Sequence, residues 1–251
     1  MKAFFKTQIL SDAYQTAEKL AKDFIRYTEE MLRYRDNLYI ALSGGSTPQL
    51  MFEIIANEYK NALAWNRLHF FWVDERCVLS DDAESNYGNA YRLLFSKVKI
   101  PAGNIHFIHG GNDPLNEAVR YSGEILSFVP CVNNTPAFDL IFLGMGNDGH
   151  TASIFPGQTE LFDCQAICAI SQHPQTCQKR ITLTGKVINN ASLVVFLVTG
   201  SNKADKVKAI INSESISLLY PAKRIKPSNG ALSWYLDKEA ANFLDLDKLT
   251  I

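Results

Sequence analysis

The 251-residue chain is defined first by what it does not contain. No run is long and apolar enough to span a bilayer, and the start, Met1-Lys2-Ala3-Phe4-Phe5-Lys6, lacks the extended apolar core of a secretory leader. These absences predict a cytoplasmic protein without a membrane partner. Charge of one sign is not in excess: 25 Lys and Arg against 26 Asp and Glu leave a formal charge of −1. No net field therefore draws the chain to nucleic acid or anionic lipid, and any bound anion must be held by local geometry. Cysteine is sparse and odd in number (Cys77, Cys131, Cys164, Cys168, Cys177), which suits a reducing compartment. Repeats, low-complexity tracts and long Pro/Gly/Ser linkers are missing too. What remains is an ordinary globular composition, 47% hydrophobic and 20% charged, read as one domain over residues 1–251. Nothing in it separates a monomer from a small homo-oligomer.

Periodicity supplies the elements. Ala13, Ala17, Leu20, Phe24 and Met31 form the stripe of an amphipathic helix over Ala13 to Leu32, with Ser11 or Asp12 as its cap. A strand, Leu38 to Leu42, runs through Ser43-Gly44-Gly45-Ser46-Thr47-Pro48 into a helix that Thr47-Pro48 should start. A second strand, Leu68 to Val73, ends in Asp74-Glu75-Arg76, and Ser85-Asn86 opens a helix through Leu94. Ile105 to Ile108 reads as a short strand; Leu115, Ala118, Val119, Ile125 and Leu126 mark another helix. Strands then follow at Phe138 to Leu143, Ala166 to Ile170, Arg180 to Thr184, Leu193 to Val198 and Ala231 to Leu236, with helices at Ala204 to Ile211 and Lys238 to Leu244. Apolar strands alternating with helices predict an α/β protein with a mostly parallel sheet covered on both faces.

One stretch organises the rest: Phe138-Asp139-Leu140-Ile141-Phe142-Leu143-Gly144-Met145-Gly146-Asn147-Asp148-Gly149-His150-Thr151. Three glycines follow a strand, and ligands bind at the carboxyl ends of strands in open α/β sheets. Asp148 and His150 sit there together; a carboxylate that orients an imidazole is what a general base needs, although both could simply satisfy loop hydrogen bonds. The spacing Gly144-x-Gly146-x-x-Gly149 also matches a dinucleotide fingerprint. Pro156-Gly157, seven residues after Gly149, leaves space for barely two helical turns where that fingerprint requires a full helix, which argues against a nicotinamide or flavin enzyme.

Other groups are ambiguous alone. Ser43 to Pro48 offers free amides, a helix dipole and hydroxyls to a phosphate, or is only a glycine turn with a cap. It is no ATP loop, since no Gly-Lys-Ser/Thr follows. Thr199-Gly200-Ser201-Asn202-Lys203 repeats the theme with a lysine, and Arg180 precedes a strand. Asp74-Glu75-Arg76 could be a solvated charge cluster, the preferred reading for Glu75. Cys164, Cys168, His173 and Cys177 resemble a loosened zinc knuckle, but Cys168 lies in an apolar strand, so no metal is expected.

Taken together, these residues resemble the 6-phosphogluconolactonase family. The matching segments are Gly44-Gly45-Ser46-Thr47-Pro48, Asp74-Glu75-Arg76 with Ser85-Asn86, Gly144 through Gly157, Arg180-Ile181-Thr182, Thr199-Gly200 with Lys203, and Ser233 through Ala241. The resemblance implies a three-layer α/β/α fold with a Rossmann-like central sheet, shared with the glucosamine-6-phosphate deaminases. Those relatives carry tyrosine where this chain has Arg76 and glutamate where it has Phe155, so the lactonase is favoured over a deaminase or isomerase; with Asp148 and His150 both intact, it is also favoured over a non-catalytic sugar-phosphate binder. The implied reaction is hydrolysis of 6-phosphoglucono-1,5-lactone in the oxidative pentose phosphate pathway, with no cofactor. His150, oriented by Asp148, would activate water and Arg76 would stabilise the oxyanion; Asp74 stands beside them as a further catalytic candidate. Gly44, Gly45, Ser46, Thr47, Arg180 and Lys203 would hold the sugar phosphate.

Overall fold

The computed structural model describes residues 7–245; the amino-terminal stretch Met1–Lys6, read above for a leader, lies outside them. The elements run β1 (Gln8–Leu10), α1 (Ala13–Met31), β2 (Leu38–Leu42), α2 (Ser46–Glu58), β3 (Leu68–Trp72), β4 (Asp74–Arg76), α3 (Asn86–Leu93), α4 (Pro114–Phe128), β5 (Cys131–Val132), β6 (Thr135–Pro136), β7 (Leu140–Leu143), β8 (Cys168–Gln172), β9 (Lys179–Leu183), α5 (Gly185–Ile188), β10 (Leu193–Val198), α6 (Ala204–Ile211) and β11 (Ala231–Asp237). Asp12 caps α1, its side chain accepting the Gln15 N–H at 2.8 Å.

Six strands form one all-parallel sheet in the order β1-β11-β10-β7-β2-β3. Every residue of β7 and β10 is buried, as expected of strands covered on both faces. Register places Leu42 beside Trp72, and Ala41 beside Phe71 and Ile141. Trp72 therefore shares a face with Phe142, against which Phe24 of α1 packs edge-on, and Tyr87 of α3 meets Trp72 on that side. Phe71 points the other way, toward Tyr121 of α4. The Tyr121 hydroxyl accepts the Trp72 N–H at 2.7 Å and donates to its carbonyl at 2.9 Å. Helices on both faces give the three-layer α/β/α arrangement.

Several elements depart from the sequence reading. Asp74–Arg76 does not prolong β3. At Val73 the chain leaves the parallel sheet (Val73 N–H to Leu42 carbonyl, Leu183 N–H to Val73 carbonyl) and β4 joins an antiparallel sheet, β4-β9-β8. Ile105 to Ile108 makes only a bridge to Phe70. Side chains of α4 take its later backbone groups instead, Arg120 the Phe107 carbonyl and Glu117 the His109 N–H. Lys238 to Leu244 forms turns rather than a helix, started by Asp237 accepting the Ala240 N–H at 2.7 Å. In α4 the apolar stripe is not all core: Ala118, Tyr121 and Ile125 are buried, whereas Leu115, Val119 and Leu126 face outward.

Beside β3 lies a relay that the sequence did not announce. His106 Nδ1 is 2.9 Å from Glu124, and His106 Nε2 is 3.0 Å from His69 Nδ1. The Glu124 carboxylate accepts the proton of His106 Nδ1, and one further proton lies between His106 Nε2 and His69 Nδ1. Burial, and then the neighbouring His106, hold His69 below the ordinary histidine value. The unfolded chain takes up a proton near pH 6.5 that the folded His69 resists, so stability should fall as pH drops below about 6.5. Urea midpoints between about pH 7.5 and 5.5 check this. His69→Gln should flatten the decline, and an unchanged slope would place its origin elsewhere.

Candidate active site

Because the strands are parallel, β2, β3, β7 and β10 all end at one edge, and the loops leaving them share a cleft of about 620 Å³ counted out to its mouth. The first loop enters α2. Gly45 takes the cap position with φ of 110°, left-handed backbone that glycine adopts without strain, and α2 begins at Ser46, ahead of the predicted Thr47-Pro48 start. Among the described residues no side chain caps this end, and no acidic residue stands in its first turn. Its amides and the positive end of the helix dipole are left for an anion. Thr47 is not the cap; its hydroxyl pairs with that of Thr199 at 2.8 Å, tying the end of β2 to that of β10. Gly44 is required by crowding: a Cβ there would lie 1.8 Å from Asn86 Oδ1.

The loop after β7 is folded by its own backbone. Gly146 N–H bonds the His150 carbonyl at 2.9 Å, Gly149 N–H bonds the Gly146 carbonyl at 3.0 Å with φ of 83° at Gly149, and the Thr151 hydroxyl bonds the Gly144 carbonyl. This brings Asp148 Oδ1 to 2.6 Å from His150 Nδ1. The ring lies where a side chain on Gly146 would be, 2.2 Å from such a Cβ, so glycine makes room for the imidazole. With Nδ1–H donated to Asp148, Nε2 is the free basic nitrogen. Burial pushes the Asp148 carboxyl up, but the hydrogen bonds and charge of His150 outweigh it and the net shift is downward. Asp148 thus stays an anion able to support an imidazolium. Phe155, fully buried, packs 4.7 Å from the His150 ring as an apolar wall.

Three cations complete the cleft. Arg76 on β4 and Arg180 on β9 are directly opposed. The backbone bonds flanking them, Cys77 N–H to Lys179 and Leu183 N–H to Val73, make theirs the narrow kind of antiparallel pair, with Cα atoms about 4.5 Å apart. Like charges so placed repel. Burial and then the Arg76 charge push Arg180 below its ordinary value, and burial does the same to Lys203 against the opposing effect of Asp237. Arg76 Nη1 bonds the Glu84 carbonyl, but the Nε atoms of both arginines are buried with no partner among the described residues. Among the described residues, none of the three cations has a carboxylate within ion-pair distance. Two adjacent guanidiniums and an ammonium without counter-ions, facing an uncapped helix, form a site for a polyanion.

The sequence candidates Gly44, Gly45, Ser46, Thr47, Asp74, Arg76, His150, Arg180 and Lys203 all line this cleft, and Asp148 stands behind His150. Asp74 is nearly buried, accepting from Ser153 Oγ at 2.5 Å and facing Asn86 Nδ2 at 3.4 Å, which occupies the carboxylate with fixing its neighbours. Glu75 is not solvated: it is buried and accepts the N–H groups of Arg76, Asn86 and Tyr87, capping α3. Burial, partly offset by those bonds, raises its value. Asn86 also lines the cleft, although sequence reasoning gave it no role there. Its Nδ2 donates to the Asp74 carbonyl at 2.9 Å, an arrangement carried by the Glu75 cap rather than by local spacing. Cys164, Cys168, His173 and Cys177 do not converge; among the described residues, no group of three or more such side chains could hold a metal.

Comparison with known proteins gives concordant results. Residues 11–234 match the family described as glucosamine-6-phosphate isomerases/6-phosphogluconolactonase. The 6-phosphogluconolactonase of Haemophilus influenzae is 43% identical over 92% of this chain and 97% of its own. The crystal structure of 6-phosphogluconolactonase from Thermotoga maritima superposes with a TM-score of 0.81 at 30% identity, covering 93% of this chain and 99% of that one. A monomeric glucosamine-6-phosphate deaminase shares the fold, with a TM-score of 0.77 at 19% identity, covering 95% of this chain and all of that one.

Proposed function

The chain belongs to the glucosamine-6-phosphate isomerase/6-phosphogluconolactonase family, and from that premise we propose that it is a lactonase acting through His150. The reaction is hydrolysis of 6-phosphoglucono-1,5-lactone to 6-phosphogluconate. The observation that carries the assignment of roles is the Asp148–His150 pair, 2.6 Å apart, facing a cleft with three cations that lack counter-ions. The uncapped start of α2, Arg180 and Lys203 hold the phosphate of the substrate, which fixes the position of the lactone carbonyl. His150 Nε2 takes a proton from water as the water oxygen bonds to the carbonyl carbon. Arg76 stabilises the oxyanion of the tetrahedral intermediate. As that intermediate collapses, the bond from the carbonyl carbon to the ring oxygen breaks and His150 returns the proton to that oxygen. Substrate and product are small soluble anions, and a cytoplasmic enzyme working as a single catalytic domain fits them.

The deaminase reading fits this cleft poorly. Where the resemblance implies a glutamate in the deaminases, the wall beside His150 is the buried ring of Phe155, and Arg76 stands at their tyrosine position.

Arg180→Ala or Lys203→Ala should weaken apparent affinity for the phosphorylated lactone by roughly ten- to a hundredfold. That is the effect of losing one charge-assisted hydrogen bond worth about 1.5–3 kcal/mol. Hydrolysis of unphosphorylated gluconolactone, slow in the parent, should change little. Comparable losses on both lactones would show that these residues serve the fold.

A further inference from the structure

We infer that Ser171 is a positioning residue for Arg180, its hydroxyl accepting the Arg180 Nε–H when the substrate's phosphate is bound. The inference rests on the reading of Arg180 as a phosphate ligand. Ser171 on β8 is directly opposite Arg180 on β9, just as Arg76 is opposite Arg180 on the other side, so the three form one row across the antiparallel sheet. Directly opposed residues share a face. The flanking backbone bonds, Thr184 N–H to Ile167 and His173 N–H to Gln178, make Ser171 and Arg180 a hydrogen-bonded pair with Cα atoms about 5.5 Å apart. The short serine side chain therefore reaches the stem of the arginine rather than its tip, beside Nε.

Among the described residues, both groups lack a partner. Ser171 is 3% exposed and its Oγ has no hydrogen bond, and the Arg180 Nε is likewise buried and unpaired. A buried hydroxyl and a buried guanidinium N–H are each costly to leave unmade, and two of them on opposed residues are complementary acceptor and donor. Rotation of the two side chains joins them. With Nε held by Ser171, the fork of terminal nitrogens is left free and fixed in direction for phosphate oxygens, the geometry in which arginine binds such groups best. Gln158, which holds the Gln172 backbone at both its carbonyl (2.6 Å) and its N–H (3.3 Å), pins the loop beyond His150 over this end of β8. Ser171 and Arg180 are both buried.

The test is steady-state kinetics of Ser171→Ala, Ser171→Cys and Ser171→Thr on the phosphorylated and unphosphorylated lactones, with inorganic phosphate as a competitive inhibitor and melting temperature as a control. Ala and Cys should raise KM for the phosphorylated lactone, and the inhibition constant of phosphate, by about three- to tenfold, the worth of one hydrogen bond, with kcat nearly unchanged. Thr keeps the hydroxyl and should restore both. The unphosphorylated lactone should not respond, and Ser171→Ala should add nothing in an Arg180→Ala background. An unchanged KM in Ser171→Ala would overturn the inference, as would equal losses on the two lactones or full additivity with Arg180→Ala. If Arg180→Ala itself shows no phosphate selectivity, the reading of Arg180 fails instead; a selective Arg180→Ala beside a silent Ser171→Ala defeats this inference alone.

Discussion

Replacing His150 by alanine is expected to lower lactone hydrolysis by about 10²–10⁴-fold, the usual contribution of a positioned general base, while substrate binding and the fold persist. Binding should persist because the proposed phosphate contacts come from α2, Arg180 and Lys203, which line the cleft independently of the imidazole. The fold should persist because the loop is closed by backbone bonds of Gly146 and Gly149 that alanine keeps. Asp148→Asn should lose the same or less: the base survives, but the carboxylate at 2.6 Å that orients it and supports its charged form is gone. The sign of the pH dependence follows from the same pair. Asp148 is held below the ordinary carboxylate value and so remains an anion beside the imidazole on mild acidification, and an imidazole that carries both protons accepts none from water. The rate should therefore fall with pH on the acid side in the parent, and that limb should vanish from the residual activity of His150→Ala. Near-parental turnover by a folded His150→Ala would remove the base from the mechanism and turn attention to Asp74.

Arg76→Ala should cost about 10²–10³-fold in kcat with a smaller change in KM, as expected for a donor aimed at charge that develops only in the transition state. The position of Arg76 makes this a demanding prediction. It stands in one row with Arg180, so its guanidinium could instead add to the phosphate site. A loss confined to KM and to the phosphorylated lactone, matching that of Arg180→Ala, would assign the two arginines to one phosphate clamp and leave the oxyanion to other donors. Arg76→Lys should not restore the rate, because an ammonium lacks the guanidinium's forked donors and its bond to the Glu84 carbonyl has a different reach.

The parallel sheet was legible because its strands are apolar on both faces: β7 and β10 read as unbroken runs, and that pattern requires helices on either side. The Asp148–His150 pair was legible because a glycine-rich loop after a buried strand is a local signal, and the two residues are close in sequence. What stayed hidden is non-local. The sequence Trp72-Val73-Asp74 does not show that the chain changes sheets at Val73, since the decision is made by Leu183 more than a hundred residues later. That switch puts Arg76 against Arg180, and no spacing announces it. Glu75 looked solvated because charge runs usually are, and only the start of α3 folding back over it turns it into a buried cap. Thr47-Pro48 carried a helix-start signature, yet the conformational freedom of Gly45 moved the start and left the helix end uncapped for a ligand.

The central claim is that this cleft hydrolyses a phosphorylated lactone with His150 as the base. Its most direct test is acid release from freshly generated 6-phosphogluconolactone, with spontaneous hydrolysis subtracted, measured side by side for the parent and a folded His150→Ala. The account predicts rapid release by the parent, release near the spontaneous rate by the variant, and no ammonia from glucosamine 6-phosphate by either. Release by the parent no faster than the spontaneous reaction, or ammonia formed from glucosamine 6-phosphate, would contradict it.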